Sequence, residues 1–209
     1  SRPTPSPITA ATPPASVAPR PTETEMPPQP PAKPLYVVGI GASAGGLDAL
    51  EKLFASLPAD CGAAFVVIQH LSPDHKSMMA SLLARHTRMP VVMVEEDLPI
   101  VPNQVFLIPP GSIMHMDGRL LRLTPKNPRT LTLPIDVFFQ SLATHHGDHA
   151  VGVVLSGTGS DGTRGAGAIN EAGGFLLAQD PENAKFDGMP RSVIATGLVD
   201  AILPVEAMA

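Results

Sequence analysis

The sequence predicts an α/β fold, with a doubly wound, mostly parallel sheet flanked by helices and a small β-hairpin. Three observations predict it. Short apolar runs alternate with amphipathic helical patterns along most of the chain, as expected for strands joined by helical crossovers. Several of these runs end directly in glycine-rich or polar loops. Asp117-Gly118 separates two further apolar runs, which is a strong hairpin signal.

The first half of the folded region alternates strand and helix. Apolar runs of four to seven residues predict buried strands at 35–40, 63–69 and 91–94. Between them, apolar residues at helical spacing predict helices over 46–57 and 72–86. The second helix has Ser72 as its expected N-cap and Pro73 at its first helical position.

The hairpin region at 99–133 interrupts this alternation, which resumes at Pro134. From there the same criteria predict helices and strands in turn: a helix at 134–147, a strand at 150–156, a helix at 161–173, a strand at 174–179, a short helix near 190–196 and a last strand near 198–203. The sequence shows no internal repeat.

Residues 1–34 have a different composition from the rest of the chain. They contain twelve of the 25 prolines, and their only large apolar side chains are Ile8, Val17 and Met26. Such a segment buries too little apolar surface to offset the entropy of ordering it. We therefore predict a disordered, proline-rich tail or linker at 1–34, and one domain at 35–209.

Composition excludes several classes of protein. The net charge of −5 disfavours a nucleic-acid-binding protein, which needs a basic face. The single cysteine, Cys61, excludes an internal disulfide framework and suits a reducing compartment. No apolar run approaches the roughly 20 residues that span a membrane. We expect a cytoplasmic protein with no membrane insertion and no nucleic-acid partner.

The stretch VVGIGASAGG fits two incompatible motifs. Gly39, Gly41 and Ala44 match G-x-G-x-x-G/A, the turn that cradles a dinucleotide pyrophosphate. Gly41, Ser43 and Gly45 match G-x-S-x-G, the strand-to-helix turn that presents a nucleophilic serine. A third interpretation makes Ser43 a simple helix N-cap.

Two further loops at predicted strand ends contain groups that suit a serine hydrolase. A dinucleotide-binding unit normally ends its second strand with an acidic residue, whereas here Gln69-His70 stands there. A histidine suits a general base beside Ser43, and Asp161, in SGTGSDGTRG, could orient it. The plainer alternatives are a histidine bonded to backbone, an aspartate that caps the helix it opens, and a glycine-rich loop that binds an anion.

Three histidines lie close together near the end of the predicted helix at 134–147. His145, His146 and His149 approach metal-ligand spacing, but no acidic or cysteine partner follows at a suitable interval. Histidines at a helix C-terminus interact favourably with the helix dipole, so we expect that role and no metal site.

Together these motifs resemble the catalytic domain of the chemotaxis protein-glutamate methylesterases, the CheB type. The resemblance runs from about Leu35 to Pro204 and includes, in order, IGASAGG, VVIQHLSPDH, VPNQVFLIPPG, PIDVFFQSLA, AVGVVLSGTGSDGTRG and FDGMPRS. It is closest to the methylesterase modules of hybrid proteins that also carry a receptor methyltransferase.

The resemblance implies a function and a set of site residues. The family's catalytic triad falls on Ser43, His70 and Asp161, and its oxyanion donors fall on the backbone N–H groups of Ala44 and Thr158. The implied reaction is hydrolysis of glutamate γ-methyl esters on chemoreceptor helices, with deamidation of receptor glutamines as a second activity. The implied partners are methylated chemoreceptor cytoplasmic helices and a fused or separate methyltransferase. No metal and no organic cofactor is implied.

Two arginines are candidates for substrate contact, and three positions near the site differ from many relatives. We expect Arg164 and Arg191 to line the rim of the site and hold acidic receptor residues, or else to be exposed, solvated side chains. Many relatives have threonine where Ala44 stands and Met-Gly-Asn at 158–160, where this chain has Thr-Gly-Ser. Two other classes stay open at this point: a non-catalytic docking or sensory module of the same fold, and a dinucleotide-binding oxidoreductase.

Overall fold

A sheet of seven parallel strands forms the centre of the protein. The computed structural model describes residues 34–69 and 78–209. Within these residues the sheet has the order β10-β9-β8-β1-β2-β5-β3, and all its strand pairs are parallel. The strands are β1 (Val37–Ala42), β2 (Ala64–Gln69), β3 (Val91–Met93), β5 (Gln104–Leu107), β8 (Ala150–Val154), β9 (Phe175–Gln179) and β10 (Ala201–Leu203).

A second, antiparallel sheet contains the hairpin. Its strands are β4 (Leu98–Pro99), β6 (Ser112–Asp117) and β7 (Leu120–Pro125), in the order β4-β7-β6. In the hairpin Asp117 pairs with Leu120, so the two-residue turn is Gly118-Arg119, one residue later than the Asp117-Gly118 signal suggests.

Within the described part of the chain, five α-helices cover the two faces of the large sheet, and each face has its own buried core. One core contains Leu50, Phe54 and Leu83, and the other contains Phe138 and Ile169. The helices are α1 (Gly46–Ser56), α2 (Met78–Leu83), α3 (Pro134–His146), α4 (Thr163–Glu171) and α5 (Gly188–Ile194). The predicted fold class, a mostly parallel sheet flanked by helices with a small hairpin, is confirmed.

The structure differs from the sequence prediction in two places. Residues 99–133 do not all leave the parallel sheet, because β5 lies in it between β2 and β3. The helix predicted over 72–86 is described only from Met78, where α2 runs to Leu83 before a turn. Its expected N-cap, Ser72, and Pro73 lie outside the described residues.

The strand order creates a crevice beside β1. The chain runs from β1 to β2 on one side, and β8 pairs with β1 on the other. The loops that leave β1 and β8 therefore diverge to opposite sides of the sheet at this point. In open α/β sheets, ligands bind at such switch points, beyond the carboxyl ends of the strands. The loops after Ala42 and Val154 border the crevice beside β1.

The two histidines at the end of α3 contact the hairpin. His145 and His146 occupy the last turn of α3, as predicted. In addition, the Gly118 N–H donates to the His145 Nδ1 at 3.1 Å, and the Gly118 carbonyl oxygen lies 3.0 Å from the His146 Nε2. Among residues 34–69 and 78–209 there is no group of three or more His, Cys, Asp or Glu side chains that could hold a metal ion.

His146 should make stability depend on pH. Burial lowers its pKa from the ordinary 6.5, although hydrogen bonding to the Gly118 and Leu35 backbone opposes this shift. The unfolded chain therefore binds the proton more readily, and the stability contributed by neutral His146 is lost as the pH falls below about 6.5. Urea unfolding between about pH 7.5 and pH 5 should show a shallower pH dependence for His146→Gln than for the wild type. Equal slopes would contradict this assignment.

The predicted tail at 1–34 lies outside the described residues, apart from Pro34. Deleting residues 1–34 should leave the melting temperature nearly unchanged, because the segment offers few apolar side chains to a core. Calorimetry of the full and shortened chains checks this, and a fall of more than a few degrees would show that the tail packs against the domain. No helix within the described residues is long and apolar enough to cross a membrane.

Candidate functional site

Ser43 lies in the turn that joins β1 to α1, at the crevice beside β8. Its backbone N–H donates to the Ser156 carbonyl oxygen at 3.0 Å. The turn requires glycine at position 45, where φ is +71° and an added Cβ would lie 2.8 Å from the Ser156 Oγ. Gly45 is also the N-cap of α1, so the interpretation of Ser43 as a simple N-cap is wrong. The Ser43 side chain is half-buried.

Asp161 lies in the loop after β8 and is buried, with 4% of its surface exposed. Its carboxylate accepts hydrogen bonds from the backbone N–H groups of Asp136, at 2.9 Å to Oδ1, and Ile135, at 3.1 Å to Oδ2. It does not cap α4, the helix that it precedes, because the N-cap there is Gly162 and no side chain caps it. Asp161 therefore binds the first turn of α3.

His70 lies outside the described residues, so the structure does not test its contacts. The residue before it, Gln69, is the last of β2, and its backbone pairs with Ala42 of β1. Ser43 and His70 thus follow two residues that are partners in adjacent parallel strands. The chain therefore leaves the sheet at the same edge in both places.

Ser156 links the two loops of the site to a third segment. Its buried Oγ donates to the Ala44 carbonyl oxygen at 2.9 Å and accepts from the Phe186 N–H at 3.0 Å. The next residue, Gly157, donates its N–H to the Phe186 carbonyl oxygen and accepts from the Met189 N–H, both at 2.9 Å. The segment 185–189 is thereby fixed beside the Ser43 turn.

Ser156→Ala should lower the free energy of unfolding by about 1–3 kcal/mol, because it leaves the part-buried Ala44 carbonyl and the Phe186 N–H without this partner. The measurement is urea unfolding at neutral pH. Ser56→Ala is the matched control, since its exposed Oγ donates only to the Lys52 carbonyl of its own helix, and it should change stability by less than about 0.5 kcal/mol. If both variants change the free energy of unfolding by the same amount, the Ser156 hydrogen bonds stabilise the fold no more than an exposed serine does.

The backbone N–H groups of Ala44 and Thr158 are the predicted oxyanion donors. Ala44 follows Ser43 directly, and Thr158 lies in the exposed part of the loop after β8. Neither N–H donates a hydrogen bond to any residue that the structure describes. Both are therefore available to a ligand, as oxyanion donors must be.

The two arginines predicted at the rim differ in their surroundings. Arg164, at the second position of α4, is exposed. Arg191 is also exposed, but its guanidinium forms ion pairs with Asp187 and, at 3.7 Å, with Glu182. The adjacent Asp187 carboxylate raises the pKa of Arg191, and the guanidinium lowers that of Asp187. Arg191 would have to exchange these partners to bind an acidic substrate residue.

The structure adds two residues that the sequence reasoning missed. Ser156 precedes the glycine-rich loop, and Asp136 is the third residue of PID at the start of α3. Asp136 is buried, and its Oδ1 accepts from the Gly165 N–H at 2.9 Å. The available signals were a serine at the end of the predicted strand at 150–156 and an aspartate between Ile135 and Val137 in the predicted helix at 134–147.

The geometry therefore brings a serine turn, a buried carboxylate and two available N–H groups to one end of the sheet. A serine hydroxyl, a histidine oriented by a carboxylate, and paired N–H donors are together the requirements of acyl transfer. His70 directly follows the last residue of β2, which ends at the same end of the sheet.

Comparisons with known proteins agree with this arrangement. The sequence model described as CheB methylesterase matches residues 38–209. Protein-glutamate methylesterase/protein-glutamine glutaminase 2 of Burkholderia lata is 38% identical over 175 residues, covering 83% of this chain and 52% of that protein. An uncharacterized 104.1 kDa protein of Rhodobacter capsulatus is 62% identical over 128 residues, covering 61% of this chain and 13% of that protein.

A solved structure shows the same fold. The crystal structure of the Thermotoga maritima CheB methylesterase catalytic domain matches with a TM-score of 0.76 and 28% identity, covering 82% of this chain and 94% of that one. This chain spans about half the length of the Burkholderia lata methylesterase named above. The matched region includes every described residue of the candidate site, and the chain belongs to the CheB methylesterase family.

Proposed function

We propose that this chain is a serine hydrolase that removes γ-methyl esters from glutamates of chemoreceptors. The observation that carries the proposal is the placement of Ser43 and the buried Asp161 in loops from the adjacent strands β1 and β8. The relatives' name, protein-glutamate methylesterase/protein-glutamine glutaminase, supports this substrate class and adds glutamine deamidation as a second activity. Adaptation in chemotaxis is the setting in which these reactions act.

In the proposed reaction, His70 accepts the Ser43 proton while the Ser43 Oγ attacks the ester carbonyl carbon. The negative oxygen of the tetrahedral intermediate is held by the N–H groups of Ala44 and Thr158, each typically contributing about 10²–10³ in rate. His70 then donates its proton to the leaving methoxide, and methanol departs. Water, activated by His70, hydrolyses the glutamyl-serine ester and returns Ser43 to its starting state.

Asp161 holds His70 in the tautomer that leaves one ring nitrogen free to accept the proton. The bonds from the Ile135 and Asp136 N–H groups hold the carboxylate in place. A carboxylate has about four lone-pair sites, and we propose that an N–H of the His70 imidazole binds at one of them. All these steps use protein groups and water.

The substrate is an acidic helix surface, and we propose that Arg164 contacts it at the rim. Arg191 joins it only by exchanging its ion pairs with Asp187 and Glu182. The proposed partners are methylated chemoreceptor cytoplasmic helices, with a fused or separate methyltransferase that supplies the ester. The proposed setting is the cytoplasm.

The test is methanol release from a methylated receptor cytoplasmic fragment, with the unmethylated fragment as control. We expect methanol in proportion to the methyl content, and ammonia from receptor glutamines if deamidation also occurs. Binding of the fragment with no methanol would favour the docking module. Calorimetric binding of a nicotinamide dinucleotide that Ser43→Ala leaves unchanged would favour the oxidoreductase.

A further inference from the structure

The two helices beside Asp161 lack an N-capping side chain of their own. The N-cap of α3 is Leu133 and that of α4 is Gly162, and no side-chain capping bond forms at either. The first N–H groups of a helix have no partner within it and need an external acceptor. A serine, threonine, asparagine or aspartate at the N-cap normally supplies that acceptor to the second or third N–H.

Here each helix is capped by an aspartate that belongs to the other. Asp161, just before α4, accepts the second and third N–H groups of α3, from Ile135 and Asp136. Asp136, in the first turn of α3, accepts the third N–H of α4, from Gly165, at 2.9 Å. These are the N–H groups that an N-cap side chain would bind. The two carboxylates therefore connect the helix starts in both directions.

The packing of α3 on α4 leaves little room for adjustment. A Cβ added at Gly165 would overlap the Phe139 Cβ and lie 3.0 Å from the Asp136 carbonyl oxygen. Asp136 has only 5% of its surface exposed, and its Oδ2 has no hydrogen-bond partner among the described residues. Such a group is retained at a cost in desolvation, which a purely apolar contact would avoid.

The electrostatics of this contact partly favour the reciprocal capping of α3 and α4 by Asp161 and Asp136. The positive end of each helix dipole faces the carboxylate that caps it. Burial raises the pKa of Asp136, hydrogen bonding by the Gly165 N–H lowers it, and the nearby Asp161 charge raises it. The backbone N–H groups of Arg164 and Gly162 act in the same direction as that of Gly165.

We propose that Asp136 is a positioning residue for Asp161, holding the start of α4 against α3 so that the Asp161 carboxylate keeps its place. The inference rests on the proposed function in one respect, because in the proposed reaction Asp161 orients His70. Its structural half, that Asp136 holds Asp161, is independent of any activity.

The first experiment measures hydrogen exchange of the Ile135 amide by NMR, because this N–H is protected by Asp161 and not by its own helix. In Asp136→Ala we expect its protection to fall by about tenfold or more. Asp136→Asn keeps the shape and one oxygen acceptor for Gly165, so protection should stay close to the wild-type value. In Asp161→Ala the Ile135 amide loses its acceptor, which gives the lower limit of protection.

The matched control is Asp200→Ala. Asp200 is also a carboxylate that accepts a backbone N–H, that of Leu176 at 2.7 Å, but Leu176 lies at the amino end of β9, away from the site. This variant should leave the Ile135 amide protected and turnover unchanged, while it loses a hydrogen bond of the same kind.

The second experiment is a double-mutant cycle on methanol release. Asp136→Ala should lower kcat by about 10- to 100-fold with KM little changed, as a small displacement of a catalytic group does. In an Asp161→Ala background the same change should have no further effect, because Asp136 then has nothing to position. A purely structural role would give multiplicative losses in the two backgrounds.

The outcomes separate this inference from the proposed function. Unchanged Ile135 protection in Asp136→Ala overturns the positioning role whether or not the chain releases methanol. Multiplicative losses in the cycle overturn it as well. If Asp136→Ala reduces Ile135 protection but the wild type releases no methanol, the result supports the positioning of Asp161 and contradicts only the proposed reaction.

Discussion

Replacing Ser43 by alanine should lower methylesterase turnover by about 10⁴-fold or more, because the reaction loses the atom that forms the acyl intermediate. The fold should be retained, since Ser43 contacts its surroundings through its backbone, with the N–H bonded to Ser156 and the carbonyl to Gly46. Initial rates of methanol release from the same methylated receptor fragment give the comparison. Ser56→Ala, on the exposed face of α1, is the control and should keep the wild-type rate.

The histidine predicted as the base provides the stricter form of this test. His70→Ala should lose a similar factor, and Ser43→Ala combined with His70→Ala should be little worse than either change alone, because members of a triad act as one unit. Multiplicative losses would mean that the two residues act in separate steps. Asp161→Asn should keep the fold while leaving His70 in the wrong tautomer.

Gly165→Ala should lower the free energy of unfolding by about 3 kcal/mol, because it overpacks the contact between α3 and α4. The added Cβ would overlap the Phe139 Cβ and press on the Asp136 backbone, with the carbonyl oxygen 3.0 Å and the Cα 3.1 Å away. Backbone atoms of a buried helix cannot move aside as the end of a flexible side chain can. Urea unfolding monitored by circular dichroism gives the change in free energy.

The same helix offers a matched control for this prediction. Gly167 lies two residues further along α4, and an added Cβ there meets nothing within 4 Å. Alanine favours a helix over glycine by about 1 kcal/mol, so Gly167→Ala should stabilise the protein slightly. If Gly165→Ala leaves the free energy of unfolding unchanged, or changes it by the same amount as Gly167→Ala, then α3 and α4 can separate without cost.

Much of the fold could be predicted because its strands and helices have strong local patterns. The helix predicted over 46–57 is α1, within one residue at its C-terminal end, since its apolar residues recur at helical spacing. β5 could not be placed in the parallel sheet from sequence, because its four residues resemble any short apolar run. Only the pairing with β2 and β3 distinguishes it, and such pairing is non-local.

The candidate site was predicted in its parts but not in its connections. Glycine-rich loops at strand ends indicate where function gathers in a parallel sheet, and Ser43 and Asp161 were identified in this way. The capping of α3 by Asp161 joins residues 25 and 26 positions apart, and sequence pattern contains no signal for that distance. The local alternative, that Asp161 caps its own helix, was reasonable on sequence and is wrong.

Titration with a fluorophosphonate measures most directly whether Ser43 is the nucleophile of a methylesterase. Such reagents phosphonylate a serine that an adjacent base activates, so methanol release and the site of modification can be followed in one sample. We expect activity to fall in proportion to the label, reaching zero at about one label per chain, with mass spectrometry of the digested protein placing that label on Ser43. Methanol release that persists when Ser43 is fully modified, or inactivation with the label on another residue, would contradict the account.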